Sequence, residues 1–195
     1  VLQAIRSVHP EACLSIDTSK PEVARVAIDA GATIINDVTG FRDPGMIDLA
    51  AETGVGCVVM HMLGNPRTMQ SNPGYTDVVA EIADFFTEKL ATLTDAGVKK
   101  EAIVFDPGIG FGKTMEHNLE LLRNSGKITI GERPLLLGVS RKSFLGKLIG
   151  TEKAEDRDWS TVAVTSFARE RGIPLHRVHD VRANVEALRM TEAML

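Results

Sequence analysis

The sequence is poor in features that mark several protein classes. Its 195 residues include two cysteines, one tryptophan and one tyrosine. Cys13 and Cys57 both lie in apolar, strand-like runs. We therefore predict two buried, reduced thiols rather than the disulfide of a secreted protein.

Long apolar runs and excess positive charge are also missing. No run approaches the ~18 apolar residues that a membrane span needs, and no signal peptide or polybasic tail is visible. With 22 basic and 26 acidic side chains the net charge is −4. Such a chain lacks the excess of positive charge with which proteins bind nucleic acid or an anionic membrane. We expect a cytoplasmic protein that binds neither.

The composition that remains is typical of a globular α/β domain. Apolar residues make up 44% and charged residues 25%, which excludes an intrinsically disordered chain. Short runs rich in Val, Ile and Leu are bounded by Gly, Pro or Asp, as in strands buried on both faces of a parallel sheet. These predicted strands cover residues 12–16, 33–35, 57–60, 103–105, 134–139 and 173–178.

Helical periodicity fills the intervals between these runs. The predicted helices cover residues 21–29, 46–52, 77–96, 115–124, 143–150, 159–170 and 181–194. Six consecutive strand–helix units in a single domain, residues 1–195, predict a parallel sheet, either open and doubly wound or closed into a barrel. No G-x-G-x-x-G follows the first strand, which disfavours a dinucleotide fold.

A closed barrel of this type needs eight units. Six units are present, and the first eight residues have the pattern of the tail of a helix. We therefore expect two further units to precede Val1.

Polar residues follow nearly every predicted strand, at the edge where α/β proteins place their function. They are Asp17, Asn36, Asp37, His61, Asp106, the Ser-Arg-Lys-Ser segment at 140–143, Arg177 and His179. Taken singly, Asp17 and Asp37 are better explained as helix N-caps. For His61, which alternates with Met60 and Met62, we favour a structural role.

Considered together, these residues indicate a two-part site. The cations at 140–143, with Arg177 and His179, predict a bound phosphate or carboxylate. Asp17, Asn36 and Asp106 should face them across the site and suit a flat heterocycle rich in N–H donors. The glycine-rich run 108–112 lets a ligand approach the backbone, and Phe111 offers an apolar face. No Cys/His cluster has the spacing of a metal site.

At these positions the sequence resembles the dihydropteroate synthase family, the folate-pathway enzymes that sulfonamides target. The stretches that carry the resemblance are SIDTSKPEV, GATIINDV, MHMLGNPRTMQ, DPGIGFGK, LLLGVSRKSFLG and RVHDV, in the family's order. The resemblance implies a (β/α)8 TIM barrel, usually dimeric, of which this chain holds the last six units. It also implies a transferase that joins 6-hydroxymethyl-7,8-dihydropterin pyrophosphate to p-aminobenzoate with Mg²⁺ and releases pyrophosphate.

The resemblance assigns pterin-binding roles to six residues. By analogy, Asp106 and Asn36 bind the amino-pyrimidine edge, and Lys142 contacts the carbonyl side. Asp17 contacts the ring and stabilises positive charge as the C–O bond breaks, while Met60 and Gly138 line the pocket. Asp17, Asp106 and Lys142 are thus the expected catalytic residues.

The same resemblance assigns the residues that bind pyrophosphate and p-aminobenzoate. Arg177 and His179 hold the departing pyrophosphate, Ser143 receives the carboxylate of p-aminobenzoate, and Phe111 packs near its ring. The expected Mg²⁺ ligand is an asparagine in the part preceding Val1, so no metal ligand is expected here. We therefore expect residues 1–195 alone to bind pterin weakly and to turn over negligibly.

Two other functions stay open. A pterin-dependent methyltransferase of a related barrel family would keep the two aspartates and the asparagine, but it has no need of the Ser-Arg-Lys-Ser and Arg-x-His segments. A non-catalytic pterin-binding or assembly module would keep the pterin pocket without a p-aminobenzoate site.

Overall fold

The computed structural model describes residues 1–65, 68–69 and 73–195. The part of MHMLGNPRTMQ at residues 66, 67 and 70 lies outside them. The strands are β1 (Ser15–Asp17), β2 (Ile34–Asp37), β3 (Gly56–Met60), β4 (Ile103–Asp106), β5 (Leu136–Leu137) and β6 (Leu175–His176). The α-helices are α1 (Leu2–Val8), α2 (Pro21–Asp29), α3 (Pro44–Thr53), α4 (Val78–Asp95), α5 (Met115–Arg123), α6 (Ser143–Ile149), α7 (Asp158–Glu170) and α8 (Val181–Met194).

All the strand pairs are parallel, and neighbours in space follow chain order. Strands β1 to β4 form one sheet, and β5 pairs with β6. A parallel bridge between Phe105 and Leu135 connects β4 to the segment that enters β5. Each strand is followed by at least one helix, so the prediction of an α/β fold with six strand–helix units is confirmed.

The register places the ends of neighbouring strands at one edge. Asp17 pairs with Asn36, and Met60 pairs with Asp106. Because parallel strands end at the same edge of their sheet, Asp17, Asn36 and Asp106 lie at one edge, with Asp106 two positions further along the ladder than Asn36.

The core forms where the helices cover the sheet. Helix α4 buries Val78, Ile82, Phe86 and Leu93, and the Phe86 ring stacks on Phe105 of β4 with 4.3 Å between ring centres. This apolar stripe is the one that the periodicity of residues 77–96 predicts. Through Phe86 the stripe packs against the C-terminal half of β4.

The boundaries differ most for the first strand and the last two. Helices α2 and α8 have the predicted bounds, but β5 and β6 keep two residues each of the predicted runs 134–139 and 173–178. Pro134 and Pro174 lack the N–H that a sheet ladder requires, which limits both strands on their N-terminal side.

The prediction that Cys13 is buried is wrong. Cys57 is buried and Cys13 is exposed, and both are free thiols. Strand β1 begins at Ser15, so Cys13 lies in the connection before it, and β1 itself alternates exposed and half-buried residues. Within the described ranges, no helix is long and apolar enough to cross a bilayer.

Candidate active site

Three hydrogen-bonding side chains meet at the C-terminal edge of the sheet. The Asn36 amide nitrogen donates to Asp17 Oδ2 at 3.0 Å, directly across the β1–β2 pair. Asn36 and Asp106 are 3% and 1% exposed. Because buried polar atoms need partners, Oδ1 of Asn36 and Oδ2 of Asp106 form a strong acceptor pair.

Arg177 occupies this acceptor pair. Its Nη1 donates to Asn36 Oδ1 at 2.8 Å, and its Nη2 donates to Asp106 Oδ2 at 3.1 Å. The predicted separation of an acidic side from a basic side is therefore wrong for Arg177, because its guanidinium lies inside the acidic cluster. A guanidinium fits this place because it offers paired donors in one plane.

Asp106 is held from several directions. Its Oδ1 accepts the Gly108 N–H at 2.8 Å. Burial raises the pKa of Asp106, whereas Arg177, the Gly108 N–H, Lys142 and Lys113 oppose that rise. An unpaired carboxylate at this depth would be costly, so any ligand that displaces Arg177 must supply donors of its own.

The glycine-rich turn brings Lys142 over Phe111. The Lys142 Nζ lies 3.9 Å from the centre of the Phe111 ring, a cation–π contact. A Cβ on Gly110 would come within 3.1 Å of Lys142 Cδ. Burial lowers the pKa of Lys142 to about 8, Asp106 opposes that shift and Arg177 adds to it.

A cavity of about 280 Å³ opens next to the cluster. Six predicted site residues line it, namely Asp17, Phe111, Gly138, Lys142, Arg177 and His179. The other four do not: Asn36, Met60 and Asp106 are buried, and Ser143 is exposed at the first residue of α6. The structure thus brings most of the predicted residues to one cavity.

The cationic side of the cavity is built by two loops. His179 Nδ1 lies 2.8 Å from Ser140 Oγ, which also accepts the His179 N–H at 3.1 Å. Arg141 instead makes a bidentate pair with Asp158, with both distances 2.8 Å. Of the two adjacent cations in this loop, only Lys142 lines the cavity.

Neither Asp17 nor Asp37 caps a helix, so that interpretation of the sequence is wrong. Helix α2 has Lys20 at its N-cap, and α3 is capped by the Asp43 side chain. Asp37 is fully buried and accepts from the Thr39 N–H, the Thr39 hydroxyl and the Phe41 N–H. Asp37 therefore stabilises the β2–α3 loop. The Asp17 carboxylate caps no helix and is available to the site.

Lys113 supports the site from outside the cavity, and reasoning from the sequence gave it no role. It is 3% exposed, and its Nζ donates to the Phe111 carbonyl at 3.0 Å and lies 3.1 Å from His61 Nδ1. Burial lowers the pKa of Lys113 to about 7 and that of His61 to about 3. Lys113 thereby fastens the end of β3 to the glycine-rich turn, and His61 is structural, as we favoured. The available signal was a lysine placed directly after that turn.

The described residues offer no group of three His, Cys, Asp or Glu side chains that could hold a metal ion. A larger cavity of about 690 Å³ lies between α1 and α2, lined mainly by apolar residues such as Val1, Val23 and Val26. It contains one charged side chain, Glu22, so it has no comparable set of reactive groups.

Comparison with known proteins agrees with this geometry. Residues 1–179 match the model of the family described as pterin binding enzyme. The chain belongs to the pterin-binding enzyme family. Over 185 residues it is 45% identical to dihydropteroate synthase of Escherichia coli (strain K12), covering 95% of this chain and 65% of that protein.

Solved structures of the family superpose on the whole chain. Dihydropteroate synthase from Thermus thermophilus in complex with 4-aminobenzoate is 46% identical, with a TM-score of 0.94, and 75% of that chain is covered. The same enzyme in complex with 6HMPPP is 47% identical, with a TM-score of 0.93, and 76% of it is covered. The present chain therefore spans about two thirds to three quarters of the length of these relatives.

Proposed function

We propose that this chain carries the substrate site of a dihydropteroate synthase. The reaction joins 6-hydroxymethyl-7,8-dihydropterin pyrophosphate to p-aminobenzoate, giving 7,8-dihydropteroate and pyrophosphate. One observation carries the proposal: the Asn36–Asp106 acceptor pair already binds a planar N–H donor, and the adjoining cavity has cationic residues along one wall. A pterin ring with an anionic tail has the matching arrangement of donors and charge.

The pterin edge is assigned to the buried acceptors. Asn36 and Asp106 would accept hydrogen bonds from the amino-pyrimidine, and Lys142 would donate to the carbonyl side. Met60 and Gly138 would border the ring. The register that aligns Met60 with Asp106 and the lack of a side chain at Gly138 support this assignment.

The chemical step exchanges one bond for another. The C–O bond between the pterin methylene and pyrophosphate breaks, and the oxygen keeps the electron pair. The p-aminobenzoate nitrogen then bonds to the methylene carbon and loses a proton. Asp17 and Asp106 stabilise the positive charge that develops on the pterin, and Arg177 and His179 stabilise the charge on the leaving group.

The p-aminobenzoate position rests on Ser143 and Phe111. Ser143 is exposed at the start of α6, where free backbone N–H groups favour a carboxylate. Phe111 supplies an apolar surface at the cavity wall. No activated serine or cysteine nucleophile is needed, because the amine of the second substrate attacks directly.

The described residues include no group of three His, Cys, Asp or Glu side chains that could hold a metal ion by themselves, and Mg²⁺ is usually held by one or two protein ligands together with substrate phosphates. The residues that line the cavity include Lys142, Arg177 and His179, with Asp17 as the carboxylate among them. The requirement for Mg²⁺ is tested by measuring turnover of the longer gene product with and without a chelator.

We also propose that the six units belong to a closed eight-unit (β/α) barrel. Two further units would bridge the outer edges of β1 and β6. The order of the strands along the chain and the coverage of 65% of the E. coli relative support this. The reading frame upstream of residue 1 tests it, since about 70 residues with two strand–helix patterns should be found there. Homodimerisation and a cytoplasmic location stay predictions, and sedimentation of the purified protein checks the first.

The deciding experiment measures pyrophosphate release that depends on p-aminobenzoate, using the longer gene product. We expect release in the parent and its loss in Lys142→Ala and Arg177→Ala. A methyltransferase would bind pterin and ignore p-aminobenzoate, and a non-catalytic module would release no pyrophosphate. Residues 1–195 alone should show negligible turnover, and turnover close to that of the longer product would contradict this.

A further inference from the structure

The side chain of Arg177 and the expected heterocycle compete for the same two oxygens. Nη1 and Nη2 each donate to one of them, at 2.8 Å to Asn36 and 3.1 Å to Asp106. Both acceptors are buried, so a planar heterocycle that donates to the same two oxygens would overlap with the guanidinium. Binding of a ligand at this acceptor pair therefore requires Arg177 to leave.

The Arg177 guanidinium and the expected heterocycle present similar hydrogen-bond donors to the acceptor pair. A guanidinium presents two nitrogen donors on one carbon in a plane, and an amino-pyrimidine edge presents the same N–C–N outline. Arg177 thus acts as a substitute for the ligand and keeps the Asp106 carboxylate paired while the site is empty. This explains how a nearly fully buried carboxylate is tolerated there.

The surroundings of Arg177 offer it a second position. Its side chain is 43% exposed, whereas that of Asp106 is 1% exposed. It lines the cavity together with Lys142, Ser140 and His179. Gly138 makes room for the present position of the guanidinium, since a Cβ there would lie 2.7 Å from Arg177 Nη2. An anion in this cavity would attract the guanidinium away from the acceptor pair.

We propose that Arg177 exchanges between the acceptor pair and a bound polyphosphate, and so makes binding of the heterocycle depend on the anion. The inference rests on the proposed function and deepens it, because it identifies what selects a pyrophosphorylated pterin over a bare one. Linkage requires the effect to be reciprocal: pyrophosphate tightens pterin binding, and pterin tightens pyrophosphate binding by the same factor.

Calorimetric titration of the 195-residue chain with 6-hydroxymethylpterin, with and without saturating inorganic pyrophosphate, tests the exchange. In the parent chain, pyrophosphate should tighten pterin binding about tenfold, as expected for a coupling of ordinary size. Arg177→Met should bind the bare pterin about tenfold more tightly than the parent, because the competitor is gone. In that variant pyrophosphate should no longer tighten pterin binding.

Two further variants sharpen the result. Arg177→Lys keeps the cation but lacks the paired donor edge, so it should tighten bare pterin binding while retaining pyrophosphate binding. Arg123→Met, at an exposed arginine in the last turn of α5, should match the parent in every titration.

The outcomes separate the two proposals. If Arg177→Met weakens bare pterin binding or leaves it unchanged, the exchange is overturned while the pterin site stands. Absence of coupling in the parent chain overturns the exchange without any variant. If none of these proteins binds pterin at any pyrophosphate concentration, the pterin assignment itself is overturned and the exchange with it.

Discussion

The Lys113 ammonium lies 3.1 Å from Nδ1 of His61, and both side chains are buried beneath the glycine-rich turn. When Lys113 is protonated it can only donate, so His61 then accepts at Nδ1 and carries its proton on Nε2. The pair holds the end of β3 against the segment that follows β4. The geometry of Asp106 and Gly108 therefore depends on two residues that line no part of the cavity.

The buried lysine should make stability rise with pH. The folded-state pKa of Lys113 is about 7, against an ordinary value of 10.5, so the unfolded chain binds more protons between these values. Relative to Lys113→Met, the parent should gain about 1.4 kcal/mol of unfolding free energy per pH unit across that window. Urea unfolding at pH 7, 8, 9 and 10 measures the difference. Lys127 is exposed, so the stability of Lys127→Met should change with pH as that of the parent does. If Lys113→Met also followed the parent at every pH, Lys113 would not have a lowered pKa.

His61 should make the protein sensitive to acid. Its pKa falls from 6.5 to about 3 because of burial and the nearby Lys113 and Arg42 charges. Between those values His61 is protonated in the unfolded chain but neutral in the folded chain, so stability is lost as pH falls. As the pH falls from 6 to 4, the free energy of unfolding of His61→Phe should rise relative to that of the parent by about 1.4 kcal/mol per pH unit.

The matched control for that experiment is His9→Phe, because His9 is exposed just after α1. Its acid unfolding curve should follow the parent. Parallel curves for the parent and His61→Phe would mean that His61 is accessible to protons in the folded protein.

Gly108 and Gly54 have similar φ angles but differ in how closely other atoms approach them. Their φ angles are +65° and +67°, but a Cβ at Gly108 would collide with the His61 carbonyl oxygen, and a Cβ at Gly54 would meet nothing within 4 Å. Gly54→Ala should cost about 1–2 kcal/mol through its backbone conformation. Gly108→Ala should cost about 1–3 kcal/mol more because of the collision. Equal losses in urea unfolding would refute the close approach of the two segments.

Ser140 should act on pyrophosphate binding through His179. Ser140→Ala removes the partner of His179 Nδ1 and of the His179 N–H. The loss should weaken binding of inorganic pyrophosphate about tenfold, the equivalent of one hydrogen bond to a charged group. Ser140→Thr, which keeps a hydroxyl, should restore most of the affinity, and Ser15→Ala on β1 should not affect it.

The positioning role has its own test in a double variant. If Ser140 acts by orienting the imidazole, Ser140→Ala should have no further effect once His179 has been changed to alanine. An undiminished loss in the His179→Ala background would instead mean that Ser140 contacts the anion itself.

Sequence patterns were enough for the strand–helix order because most strands lie in short apolar runs with a polar residue close behind them. The same logic collected Asp17, Asn36 and Asp106 at one edge, since parallel strands end together. Other features depend on contacts between distant parts of the chain. Arg177 reaches Asn36 across 141 positions, and no local pattern encodes which acceptor a flexible guanidinium selects. The exposure of Cys13 likewise follows from where β1 starts, which its apolar neighbours do not determine.

The occupied acceptor pair has a practical consequence for inhibitor discovery. A fragment library screened against the empty protein would compete with a tethered group at very high effective concentration, so aminopyrimidine and guanidine fragments would be scored as weak. Screening with pyrophosphate already bound would remove that competitor. Fragments that are silent in the first screen and detected in the second would be starting points directed at the most buried polar atoms of the site.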